Sequence, residues 1–130
     1  MSAVIALDFE QSGIGSKIAA LTKAELDVLD FGVIGFDNDG IVRLYNEMES
    51  KFAGLSLEKV LGFSLFTVVA PCMNNFMVAQ RFDDAAISGG VLDATIDYVL
   101  TLRMRPVKVK LRLLASPGDR FRYVLVRRDS

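Results

Sequence analysis

Cysteine occurs once in the 130 residues, at Cys72, within Val69-Ala70-Pro71-Cys72. A lone thiol serves either as a small apolar filler, the commoner case, or as a nucleophile once a cation or a helix N-terminus lowers its pKa. The nearest basic residues along the chain are Lys59 and Arg81, so composition alone favours the filler. A second group lies in Tyr45-Asn46-Glu47-Met48-Glu49. On a helix that begins after Tyr45, Glu49 comes four residues on and shares the face of Tyr45, while Glu47 points elsewhere. A hydroxyl and a carboxyl would then converge. The plainer alternative is a solvated glutamate, as most are.

What is missing narrows the chemistry further. Histidine is absent, which removes Ser-His-Asp and Cys-His hydrolases, His-ligated zinc or haem, and an imidazole base near neutral pH. An enzyme built on Cys72 is therefore the poorest reading, and no enzyme is expected. One thiol forms neither an internal disulfide nor a four-thiolate metal site, which suits a reduced, cytoplasmic protein. The apolar start from Ala3 to Leu7 is cut short by Asp8 and follows no basic residue, unlike a targeting segment. No run approaches the ~20 apolar residues of a membrane span. A soluble protein with no membrane partner is expected.

Net charge is −1, but residues 1–102 carry 6 Lys/Arg against 14 Asp/Glu, and residues 103–130 carry 9 against 2. The basic end does not read as a nucleic-acid footprint. Val107, Val109, Leu111 and Leu113 alternate with Lys108, Lys110 and Arg112 at the period of a half-buried strand, so the basic residues form one solvent face. No nucleic-acid partner is expected.

The elements that would position Cys72, Tyr45 and Glu49 follow from periodicity. Two short amphipathic stretches, Lys17 to Leu21 and Ala24 to Leu29, open the chain, with Thr22 as an N-cap and Glu25 as its capping-box partner. Phe31 to Phe36 and Ile41 to Tyr45 flank Asp37-Asn38-Asp39-Gly40, a hairpin signal. Short helical pieces span Asn46 to Phe52, Ser56 to Leu61 with Ser56 as N-cap, and Ser64 to Val69. A longer helix runs from Phe76 to Ile87 and stops at Ser88-Gly89-Gly90. Strand patterns near Leu92 to Leu102, Val107 to Leu114 and Phe121 to Arg127 close the chain. The expectation is one α+β domain: a helical cap over residues 1–28, then a core over 29–130 built on a five-stranded antiparallel sheet with short helices on one face.

With these pieces in order, the sequence resembles the photoactive yellow proteins of the PAS-domain superfamily. The matching stretches are Leu29-Asp30-Phe31-Gly32-Val33-Ile34, Asp37-Asn38-Asp39-Gly40, Tyr45-Asn46 with Glu49, Val69-Ala70-Pro71-Cys72, and Met104 with Pro106-Val107-Lys108-Val109-Lys110. They run from about Leu26 to Arg128, and the order of Tyr, Glu and Cys is more specific than any single piece.

The resemblance implies a PAS fold and a blue-light receptor that carries p-coumaric acid (4-hydroxycinnamic acid) as a thioester on Cys72. It implies that Tyr45 and Glu49 donate hydrogen bonds to the phenolate, and that Ala53, Leu55, Leu65, Ala70, Pro71, Tyr98, Leu100 and Met104 surround the pigment. A phenol of pKa about 10 stays ionised in an apolar pocket only with donors that stabilise the anion. Burial and a neighbouring phenolate both disfavour a carboxylate, so Glu49 is expected neutral and able to donate. After trans-to-cis isomerisation Glu49 would give up its proton. It would then be a buried, unpaired carboxylate costing several kcal/mol, enough to loosen the cap.

Met104, otherwise core filler, is implied to assist return to the trans form. Ala53 and Leu55 stand where the family usually has a threonine and a basic residue, which implies weaker orientation of Tyr45 and absorption shifted to the red. Leu65, Leu100 and Leu102 make the pocket more aliphatic. The partner implied is a separate signalling protein, and a monomer or weak dimer is expected. The competing reading is an unpigmented PAS interaction module with Cys72 merely buried.

Overall fold

The computed structural model describes residues 7–101 and 106–128. Two short helices come first, α1 (Ile14–Ala19) and α2 (Lys23–Asp27). Thr22 caps α2 as its spacing from Glu25 predicts. Its hydroxyl accepts from the Glu25 N–H at 3.2 Å, and the Glu25 carboxylate accepts from the Thr22 N–H at 2.9 Å. This reciprocal box satisfies two donors the helix leaves open. Helices of five or six residues are not stable alone. Ile14, Ile18 and Leu26, all at most 1% exposed, hold these two against the sheet, each contributing about 1.5–3 kcal/mol.

The expected hairpin follows as β1 (Gly32–Phe36) and β2 (Val42–Tyr45). The Asp37 carboxylate accepts from the Asp39 and Ile41 N–H groups at 2.9 and 3.1 Å and so closes the turn. Next come α3 (Glu47–Ala53), a 3₁₀ turn over Leu57–Lys59, a π-helical turn over Leu65–Val69 and a second 3₁₀ turn over Pro71–Met73. Ser56 makes no side-chain cap. Its backbone carbonyl takes the Lys59 N–H at 3.0 Å instead.

The longer helix begins later than its periodicity suggests. α4 runs over Ala79–Ser88, and Phe76 is 80% exposed outside it. Asn75 Oδ1 accepts from the Met77 and Val78 N–H groups at 3.0 and 3.2 Å, closing a local turn that competes with helix. Gly89 then ends α4 in the left-handed conformation, φ 69°, as its place after the last apolar turn predicts.

Three long strands complete the sheet: β3 (Leu92–Leu100), β4 (Val107–Ala115) and β5 (Arg122–Arg128). The order is β2-β1-β5-β4-β3 with every pairing antiparallel, giving the expected five-stranded sheet in a mixed α+β chain. The first and last strands meet in the middle, Gly32 opposite Val126 and Ile34 opposite Val124.

Period-two alternation along β5 splits the apolar residues into two cores. Val124 and Val126 join Tyr45, Leu65, Val69, Ala70 and Leu100 on the face of α3 and α4. Tyr123 and Leu125 join Phe9, Ile14, Ile18 and Leu26 on the face of α1 and α2. Covering both faces overturns one reading of β4. Arg112 is not solvated but 6% exposed. Its guanidinium pairs with Asp93 through two bonds of 2.8 Å and donates to the Phe9 and Gln11 carbonyls at 2.9 and 2.8 Å. The segment before α1 is thereby tied to the sheet.

Candidate functional site

Tyr45 is the last residue of β2 and Glu49 lies in the first turn of α3, so the helix expected after Tyr45 is present. Asn46 sets the junction. Its Oδ1 accepts from the Glu49 N–H at 3.2 Å, capping α3, and from the Val33 N–H of β1 at 2.9 Å. Its Nδ2 donates to the Leu26 and Phe31 carbonyls at 2.9 and 3.0 Å. One fully buried side chain therefore fixes α2, β1 and α3 together and sets where Glu49 enters the fold.

Tyr45 and Glu49 are both buried, at 2% and 1% exposure. Burial pushes the Tyr45 hydroxyl well above its ordinary value of 10, and the charge of Glu49 adds to the rise while Arg128 opposes it. Burial also raises the Glu49 carboxyl, against the opposing pull of Arg128. The rise at Glu49 agrees with the sequence reading. The partner does not: Arg128 Nη1 and Nη2 lie 2.7 and 3.0 Å from Oε1 and Oε2 of Glu49.

Cys72 sits half-buried in the Pro71–Met73 turn. It borders an open pocket of about 600 Å³ whose walls include Ala53, Leu55, Val69, Pro71 and Thr101. Leu55 is held there because the Ser50 hydroxyl, one turn before the end of α3, donates to its carbonyl at 2.7 Å. The Cys72 carbonyl is held by two side chains. It accepts from the Tyr98 hydroxyl and, at 3.1 Å, from Asn75 Nδ2, which also donates to Tyr98 at 2.6 Å. Tyr98 and Asn75 border a separate cleft of about 590 Å³, on whose rim Lys108 and Lys110 stand.

The residues singled out in the sequence thus divide into layers. Cys72, Ala53, Leu55 and Pro71 line one cavity. Tyr45, Leu65, Ala70 and Leu100 form the apolar cluster against which Leu55, Cys72 and Tyr98 pack. Glu49 lies at the edge of that arrangement, its carboxylate turned toward Arg128 and the backbone of Gly32. Met104 and Leu102 lie outside the described residues. Sequence reasoning missed Asn46, Asn75 and Arg128. Asn46, placed just before a helix, carries an N-cap signal. Arg128 carries none, being 79 residues from its partner.

A p-coumaroyl group fits these residues. Cys72, which would hold it, lines an open pocket of about 600 Å³; Tyr45 and Glu49 are not on its wall, though Ala53, which is, lies one helical turn beyond Glu49. Among the described residues no three His, Cys, Asp or Glu side chains gather as a metal site, and no helix is long and apolar enough to cross a membrane.

No family model matches the chain. Its curated relatives include the photoactive yellow protein of Rhodothalassium salexigens, 32% identical over 94% of this chain and 97% of that protein. That of Halochromatium salexigens is 30% identical over 92% and 95%. Among solved structures, the photoactive yellow protein domain of the sensor histidine kinase Ppr from Rhodospirillum centenum superposes with a TM-score of 0.79 at 36% identity, covering 87% of this chain and 98% of that one. A PAS domain of the Cronobacter turicensis quorum-sensing receptor RpfR, 14% identical with a TM-score of 0.60, shares the fold over 78% of this chain and 96% of that one. These relatives are photoreceptor and sensor domains rather than enzymes. The identity over nearly the whole chain, together with the five-stranded sheet, places this protein in the photoactive yellow protein family of PAS-fold photoreceptors.

Proposed function

We propose that the protein is a blue-light receptor that carries p-coumaric acid as a thioester on Cys72. The observation that supports this most is Cys72 on the wall of an open pocket of about 600 Å³ beside α3, the helix that carries Glu49. When bound, the group supplies light absorption and trans–cis isomerisation of its double bond.

The protein's own residues do the rest. Cys72 provides the sulfur for the thioester, held by the Tyr98 and Asn75 bonds to its carbonyl. Leu55, Val69 and Pro71 give the pocket an apolar wall. Tyr45 holds its proton firmly because burial raises its pKa, so it donates and is not the proton source. Glu49 holds a proton on one carboxyl oxygen more readily than an exposed glutamate and releases it when the donor contact changes. The signal is a loosening of residues 1–28, whose described part rests on the sheet through short helices and the Arg112 bonds. A downstream signalling protein reads that change.

The test is direct. The pigment-free protein, incubated with an activated p-coumaric ester, should turn yellow and bleach under blue light, and Cys72→Ala should stay colourless. Equal colour in both proteins, or none in either, returns the chain to the reading of an unpigmented PAS module. Amide hydrogen exchange over residues 7–28 should rise on illumination. Unchanged exchange there would reject release of the cap.

A further inference from the structure

The buried carboxylate of Glu49 has a fixed cation. Arg128 is the last residue of β5, opposite Val109 of β4, and its side chain reaches α3. The guanidinium grips Glu49 with both nitrogens, at 2.7 and 3.0 Å, from a side chain only 11% exposed. Its carbon also lies 5.4 Å from the centre of the Phe52 ring on the same helix. A planar fork matched to a carboxylate is stronger and more directional than a point charge, and stacking on an aromatic ring fixes its plane.

The titratable or charged groups facing Glu49 are Tyr45 from β2 and Arg128 from β5. From β1 it meets Gly32, which brings no side chain. Loss of the proton therefore leaves an anion already beside a cation. The family resemblance implies a buried carboxylate left unpaired after proton release, and the fold supplies it with a partner.

We propose that Arg128 is a positioning residue for proton release by Glu49, receiving its carboxylate as the proton leaves. The inference rests on the function proposed above. With the pigment bound, Glu49 would give the proton of one carboxyl oxygen to the phenolate, going from neutral to −1 as the phenolate goes from −1 to neutral. Arg128 remains +1 throughout, and only O–H bonds change. Two influences act on Glu49: burial favours its neutral acid, and Arg128, donating to both carboxyl oxygens, favours its carboxylate. The balance between them sets how readily it lets go.

The experiment separates this inference from the pigment assignment. In pigment-free protein, carbon-13 NMR of glutamate carboxyls, assigned through Glu49→Gln, reads the titration midpoint of Glu49. Arg128→Gln should raise that midpoint by at least one pH unit, a tenfold change in proton affinity. Arg128→Lys, which keeps the charge and loses the fork, should raise it less and serves if the first variant fails to fold. In pigment-loaded protein, the light-induced loss of the Glu49 carboxyl C=O infrared band should slow at least tenfold in Arg128→Gln and severalfold in Arg128→Lys. A midpoint unchanged in both variants overturns the inference. So does an infrared band that disappears at the wild-type rate in both. If the protein takes up no pigment while the midpoint still moves, the function proposed above fails and the Arg128 pairing stands.

Discussion

Gly32, at the start of β1, stands so close to Glu49 that a methyl group on its Cα would collide with Oε1 and meet the carboxyl carbon at 3.1 Å. The strand therefore leaves out a side chain where α3 inserts one. Gly32→Ala should displace the carboxylate from Arg128 and destabilise the fold by about 1–3 kcal/mol, the usual cost of overpacking. Urea denaturation measures the loss. Most of it should disappear when the substitution is made in a Glu49→Ala background, and an equal cost in both backgrounds would mean that the two residues do not compete for space.

Glu49 also governs how stability depends on pH. Burial raises its carboxyl above the ordinary 4.5 in the folded state, so the folded protein binds the proton more tightly than the unfolded chain. The resulting stability is fully present below about pH 4.5 and is lost as pH rises through the raised value. Glu49→Gln should remove this slope. Asp93 acts in the opposite sense: the hydrogen bonds from Arg112 hold its carboxyl below 3.8, so its contribution is lost as pH falls through that range. Denaturation midpoints of the wild type and Glu49→Gln, compared from pH 4 to 8, should diverge in the direction that favours the wild type at the acid end.

The Tyr98 hydroxyl and Asn75 clamp the carbonyl of Cys72. Tyr98→Phe should cost about 1 kcal/mol and free the 71–73 turn, so that a thiol reagent modifies Cys72 several-fold faster in the pigment-free protein. Asn75→Ala should do more, because the same side chain also accepts from Met77 and Val78. A reaction rate unchanged in both variants would show that the turn is held by packing alone.

Arg112 ties residues 9 and 11 to the sheet. Arg112→Ala leaves those carbonyls and Asp93 without its donors and should lower stability by about 1–3 kcal/mol. Exchange of amides in residues 7–20 should accelerate far more than exchange in β4 and β5, as measured by mass spectrometry. Uniform acceleration would show that the segment and the sheet open together.

Much of the fold was legible in the residues because its causes are local. Thr22 and Glu25 box one helix end, Gly89 ends another, Asp37 closes a hairpin, and a continuous apolar run in β1 and alternating runs elsewhere mark the strands. The order of Tyr45, Glu49 and Cys72 carried the resemblance, and the family itself is borne out by relatives matched over nearly the whole chain. Asn75 hid the true start of α4, since a side-chain turn there outcompetes a sequence pattern that continues through it.

The sequence by itself determined the element types, the single thiol and the absence of any imidazole. Only the tertiary structure decided which face each charged residue occupies. Alternation along β4 read Arg112 as solvated, yet the segment before α1 covers that face and buries it. Arg128 looked like part of a basic tail, yet pairing of β5 with β1 and β4 carries it to a carboxylate 79 residues away. Periodicity tells the two sides of a strand apart. What lies on each side depends on strand order and helix placement, which arise from contacts between segments distant in the chain.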